Sequence, residues 1–222
     1  MRRVFQNPEL QAEFEEKGYV IIPFMTAAEV KEYYDFYMNK KVKNDLEADG
    51  DRTSEHAEFS VLHSVKGLRE MVFKKITNTL IPRLNEHLDN YKPLIAHYIL
   101  KKANGKGIVP LHQNWSLTDE DNFASISLWC PLIDTNLDNG TLQFVPGSHK
   151  MFRGPRGNWG SSNFKDANDI ILEKYLEPVF LKAGQAVIFD DSILHYSTPN
   201  ISKDVRLAVQ MVVIPNDAKG IY

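Results

Sequence analysis

From Tyr91 onward the chain is a succession of short apolar runs, each soon stopped by Gly, Pro, Asn or Asp. Such runs are too short for buried helices, and their content of Val, Ile, Phe and Tyr favours strands. The candidates are Leu94 to Lys101, Val109 to Ser116, Ala124 to Ile133, Thr141 to Val145, Val179 to Leu181, Ala186 to Asp190 and Val205 to Ile214. The residues before them read differently. Residues 8 to 17 (PELQAEFEEK) place a Pro in a first turn ahead of helix formers, and GYVIIPF follows as a short β run. Thr26-Ala27-Ala28-Glu29 has the spacing of a capping box, which predicts a helix running to about Met38. Residues 43 to 56 are polar and acidic and read as a loop, and Leu68, Met71, Val72, Ile76, Leu80 and Leu84 predict a third helix over about 66 to 88. Strands that follow a helical N-terminus imply a mainly β fold, a double-sheet barrel with helices against one face. The expected organisation is a single domain over 1–222, with residues 1–90 as helix-rich support and 91–222 as the barrel core.

Composition excludes several function classes. With 26 basic against 29 acidic side chains, the chain shows no basic excess of the kind nucleic-acid-binding domains collect on one face, so no nucleic acid is expected as partner. No apolar run approaches membrane-span length, and the first twenty residues lack the apolar stretch of a signal peptide. A lone Cys130 can form no internal disulfide. The expectation is a cytoplasmic protein with no membrane association, and the sequence carries no signature of an oligomeric state.

The chemistry concentrates in a few positions. Strand alternation would put His112 and Asn114 on one face. His195 follows the apolar run AVIFDDSIL, and Arg206 opens VRLAVQMVVIP eleven residues later. A His pair with an acid occupying one face of Fe(II), and an Arg offering a fork to the far carboxylate of 2-oxoglutarate, is the ligand logic of non-haem iron oxygenases.

The run PLHQNWSLTDEDNFASISLWCPLIDTNLDNGTLQFVPGSHK, residues 110 to 150, and GQAVIFDDSILHYSTPNISKDVRLAVQM, residues 184 to 211, resemble the phytanoyl-CoA dioxygenase family in their HQDW-type stretch, W-x-P-L-x-D strand, N-G-x-L-x-x-x-P-G-S-H turn and final His-x-Ser. The resemblance implies a double-stranded β-helix of the jelly-roll or cupin-like kind and the cofactors Fe(II) and 2-oxoglutarate. It makes His112, His195 and the residue at Asn114 the metal ligands, and Arg206 the cosubstrate anchor assisted by Ser197. Lys101 and Trp129 would face the same pocket. His149, in the Pro-Gly turn, reads as structural.

This chain departs from the family at Asn114, where the motif has Asp. An amide offers a neutral dipole in place of a full charge, although its oxygen occupies nearly the same place. Four explanations stand open: a neutral third ligand helped by nearby acids, a position left to an external anion as in halogenases, a barrel that has lost its iron chemistry, or an introduced substitution. Asp119, Glu120 and Asp121 read as solvated loop acids, and Asp191 as shaping the turn before His195. The implied activity is a dioxygenase that hydroxylates a small organic substrate with release of succinate and CO2. The alternatives are a catalytically silent barrel that binds a carboxylate, and a different metal-assisted reaction that would turn over without 2-oxoglutarate. The Gly- and Asn-rich segment 152–168, with Arg153, Arg156 and Trp159, reads either as an anion-attracting lid or as a surface loop.

Overall fold

A computed structural model describes residues 1–38, 57–103, 105, 107–151, 153, 155, 156 and 164–220. The acidic loop expected at 43–56 and Trp159 lie outside the described residues. Helix α1 (Pro8–Lys17) begins where the Asn7 side chain accepts from the Glu9 and Leu10 amides and stops at Gly18, whose φ of 85° suits glycine. A Cβ there would also lie 2.5 Å from His149 Nδ1, so the helix end, strand β1 (Tyr19–Pro23) and the Pro146-Gly147 turn are packed against one another. Helix α2 (Ala27–Met38) carries the capping box: Glu29 N donates to Thr26 Oγ1 at 3.3 Å, and the Glu29 carboxylate accepts from Thr26 N at 2.8 Å.

Strand β2 (Glu58–Phe59) and a single 3-10 turn lead into α3 (Lys66–Leu84). Its buried stripe Leu68, Val72, Ile76, Leu80 and Leu84 recurs every four residues, and each of these side chains contributes about 1.5–3 kcal/mol by leaving water. The helix ends four residues before the expected 88, and the cause is local. Pro82 opens its last turn, and the Asn85 side chain bonds both the N–H and the C=O of Tyr91, turning the chain into β3 (Tyr91–Lys101).

The remaining elements are β4 (Val109–His112), β5 (Ile126–Pro131), β6 (Leu142–Phe144), α4 (Asn168–Lys174), β7 (Glu177–Pro178), β8 (Gln185–Asp190), β9 (His195–Ser197) and β10 (Arg206–Pro215). They form two antiparallel sheets, β1-β8-β5-β10-β3-β2 and β4-β9-β6-β7, in the double-stranded β-helix arrangement expected. Several boundaries differ from the sequence reading. The strand expected over 109–116 stops at His112, because Asn114 N donates to Asp191 O at 2.8 Å and leaves the ladder. The pairing expected at 179–181 falls at 177–178 instead, and β2, β9 and α4 are further elements. No helix among the described residues is long and apolar enough to cross a membrane.

The six-stranded sheet is covered on both faces. Leu207, Val209, Met211 and Val213 of β10 join Ile126 and Leu128 of β5 and the stripe of α3 in the main core, along with Tyr33 and Tyr37 of α2. The opposite face, with Ile99, Trp129, Val187, Phe189 and Ala208, lines the barrel interior. Arg83 of α3 fastens α2 to this core by a two-pronged pair with Glu29, at 2.7 and 2.9 Å, and by a bond to Phe24 O.

The Arg83 guanidinium holds the Glu29 carboxyl down to about 2 from its usual 4.5. Because the folded value is depressed, the stabilisation is complete above about pH 4.5 and is lost as pH falls through 2. Glu29→Ala should therefore cost about 1–3 kcal/mol at neutral pH, through pair and cap together. Urea unfolding across pH should show the gap between wild type and variant shrinking toward zero in acid.

Candidate active site

His112 closes β4 and His195 opens β9, and the antiparallel register sets the two directly opposite each other. A bulge between Val109 and His112 makes that register possible. The rings lie 4.1 Å apart between centroids, both buried. Each Nδ1 faces a backbone carbonyl, Pro110 O at 2.7 Å for His112 and Ile193 O at 3.0 Å for His195. That contact places the ring proton on Nδ1 and makes Nε2 the lone-pair nitrogen, the tautomer a metal requires. Burial, and then the neighbouring His112, holds His195 well below its usual pKa and hence neutral.

Asn114 lies beyond the strand yet lines the same cavity of about 210 Å³ as both histidines. Its Nδ2 donates to Asp191 Oδ1 at 2.9 Å and lies 3.1 Å from Ser127 Oγ, which itself donates to Asp191 Oδ1 at 2.6 Å. With the amide nitrogen engaged by these two acceptors, the carbonyl oxygen is the end left for the cavity. Among the described residues no group of three His, Cys, Asp or Glu side chains could hold a metal ion. Two imidazoles and an amide oxygen are therefore the donor set these residues present.

The residues expected to meet the cosubstrate also converge. Arg206 and Lys101 are register partners on β10 and β3, so their side chains share the interior face. Arg206 is 2% exposed, and among the described residues its Nε and Nη1 have no hydrogen-bond partner. Burial lowers its pKa to about 9. Trp129 lies beneath it, 5.2 Å from guanidinium carbon to ring centroid, close enough for a cation–π contact. Lys101, pushed down to about 6 by burial and by Arg206, donates to Ser197 Oγ at 2.7 Å and to Thr198 O. The Ser197 hydroxyl, thus accepting, keeps its own proton to donate. Gly140 in the Asn-Gly turn makes room for this lysine, since a Cβ there would lie 3.1 Å from Nζ and 2.6 Å from Thr198 O.

All seven residues singled out from the sequence are thus in or against one cavity. Of the three loop acids, Asp119 and Asp121 are exposed as expected, and Glu120 is not. Glu120 is buried in an ion pair with Arg156, whose Nε also donates to Asn114 O at 3.0 Å. Arg153 donates to Glu120 O at 3.1 Å. The Arg156 charge is therefore met within the protein, and this arginine braces the segment after β4 in place of attracting a ligand. Asp191 does shape its turn, but its side chain points at Asn114, a role that the sequence reading missed. His149 packs against Phe14 under α1, as a structural residue.

A double-stranded β-helix thus encloses an opposed pair of buried histidines and a buried arginine. The phytanoyl-CoA dioxygenase (PhyH) family model matches residues 14–208, and the chain belongs to that family. The phytanoyl-CoA dioxygenase domain-containing protein 1 homolog of Dictyostelium discoideum is 30% identical over 135 residues, 56% of this chain and 47% of that protein. The chain spans about half the length of the curated relatives it matches. Among solved structures, the epimerase SnoN in complex with Fe3+, alpha ketoglutarate and nogalamycin RO superposes with a TM-score of 0.70 at 20% identity, covering 96% of this chain and 84% of that one. The non-heme alpha ketoglutarate dependent carbocyclase SnoK from nogalamycin biosynthesis gives 0.68 at 20% identity, covering 96% and 86%. These likenesses establish the fold, and the cofactor pair expected from the sequence is the one bound in the SnoN complex.

Removing one partner of a buried ion pair strands the other. Glu120→Gln should cost about 3 kcal/mol, whereas Glu120→Gln combined with Arg156→Met should recover most of the loss. Thermal unfolding of the three variants beside wild type measures both.

Proposed function

We propose that the protein is an Fe(II)- and 2-oxoglutarate-dependent dioxygenase that hydroxylates a small organic substrate. One juxtaposition carries the reading. A buried arginine with unpaired N–H groups faces the cavity that holds two opposed histidines in metal-binding tautomers. His112, His195 and the Asn114 oxygen would hold the iron. Arg206 would take the distal carboxylate of 2-oxoglutarate in a two-pronged bond, with the Ser197 hydroxyl as a further donor. When bound, iron and 2-oxoglutarate supply the oxidising chemistry, with succinate and CO2 as coproducts.

The chain's own residues orient and exclude. Trp129 holds the guanidinium from below, and Lys101 fixes Ser197. Phe189 packs against His195 at 5.2 Å between centroids and helps keep water from the ring. His97, held neutral near 4 by burial, adds no charge to the wall. Leu62 and Trp115, both largely exposed, line the cavity where it meets solvent, with Ile95, Leu117 and Val212 behind them. Such a rim suits a substrate with an apolar portion.

The replacement of the acid by Asn114 favours a second reading, a silent barrel that binds a carboxylate. Incubation with Fe(II) and 2-oxoglutarate separates the two, because succinate forms only under the first. Arg206→Met tests the anchor. An unpaired buried cation destabilises the protein without its ligand, so the variant should unfold at an equal or higher temperature in the absence of 2-oxoglutarate. It should lose the thermal shift that 2-oxoglutarate gives wild type. An undiminished shift would remove Arg206 from the anchoring role.

A further inference from the structure

The anionic group nearest the amide at position 114 lies beside it, on the wall of the same cavity. Asp191 is fully buried and accepts from Asn114 Nδ2 and Ser127 Oγ on one oxygen. Its backbone holds the same segment in place, since Asp191 O accepts from Asn114 N at 2.8 Å and Asp191 N donates to Ser125 O at 3.1 Å. The carboxylate is thereby fixed to the residue whose side chain lacks the charge.

We infer that Asp191 is the positioning residue of the metal site: by accepting the Asn114 amide proton it turns the amide oxygen toward the metal and restores the negative charge that Asn114 lacks. The inference rests on the iron reading above. A hydrogen bond to a carboxylate draws electron density toward the amide oxygen and strengthens it as a donor, as carboxylates do behind metal-bound imidazoles. Asp191 puts one negative charge against the amide, the charge that an aspartate at position 114 would itself bring. Ser127 completes the device by holding Asp191 Oδ1 from β5, so the carboxylate cannot swing away from the amide.

The consequence runs against the simple expectation that an acid at position 114 repairs the site. Asn114→Asp would set two carboxylates at the distance now spanned by the 2.9 Å hydrogen bond, where they would hold one proton between them and the site would gain no net charge. Exchanging the two residues would restore one acid and one amide in the reverse order.

The test uses Co(II), whose visible d–d absorption reports ligation without turnover, on the full chain. Wild type, Asp191→Asn, Asn114→Asp and the exchange variant Asn114→Asp with Asp191→Asn are titrated, and each is melted without metal. Asp191→Asn should weaken Co(II) binding about 10–100-fold while still folding. Asn114→Asp alone should bind no tighter than wild type and melt lower without metal. The exchange variant should recover wild-type affinity or better, with an altered d–d band. Unchanged affinity in Asp191→Asn, or Asn114→Asp binding more tightly than the exchange variant, would overturn the role of Asp191 and leave the iron reading standing. A wild type that binds no Co(II) would overturn both. Should Asp191→Asn fail to fold, the ranking of wild type, Asn114→Asp and the exchange variant still decides.

Discussion

Because β10 is buried on both faces, its two sets of residues have opposite duties. Leu207, Val209, Met211 and Val213 fill the main core, packed with α3 and α2. Arg206, Ala208, Gln210 and Val212 look into the barrel, where the register sets Arg206 beside Lys101, and Gln210 between His97 and Trp129. A shift of one residue would exchange the faces and put the guanidinium among the helices' leucines. The apolar alternation of this strand therefore fixes the site as firmly as any polar contact within it.

The barrel interior carries charges that the apolar shell makes expensive. Arg206, Lys101 and Asp191 are almost wholly enclosed, and burial moves each toward its neutral form. Lys101 is met by Ser197 and Thr198, and Asp191 by Ser127 and Asn114 on one oxygen only. Arg206 keeps two nitrogens unmatched. Unmatched buried polar groups cost free energy, and the large core on the far side of the sheet offsets them.

Much of this was readable beforehand, for identifiable reasons. The Thr26–Glu29 box, the four-residue stripe of α3 and the runs that became β3, β5, β8 and β10 each repeat a local rule over enough residues to be recognised. β9 has three residues, too few for any period to show. What makes it a strand is pairing with β6 and with His112, contacts between distant parts of the chain. His112 and His195 were legible through motif spacing, and their opposition follows from a bulge that spacing does not reveal. Glu120 and Arg156 lie 36 residues apart, and nothing local distinguishes their buried pair from two solvated charges.

Asp190 and Asp191 show most plainly where sequence reading stops. Side by side in the sequence, the two acids look alike, and Asp191 reads as the one that shapes the turn before His195. Asp190 accepts from Ser192 N and Oγ at 2.8 and 2.6 Å and closes that turn from within. Asp191 turns the other way, to Ser127 and to Asn114, 77 residues earlier. The loss of an acid at 114 and the presence of one at 191 look independent in sequence, and the fold joins them through a single hydrogen bond. A substitution at position 114 therefore has to be weighed together with the charge beside it, since an amide bonded to a buried carboxylate differs from an amide bonded to solvent.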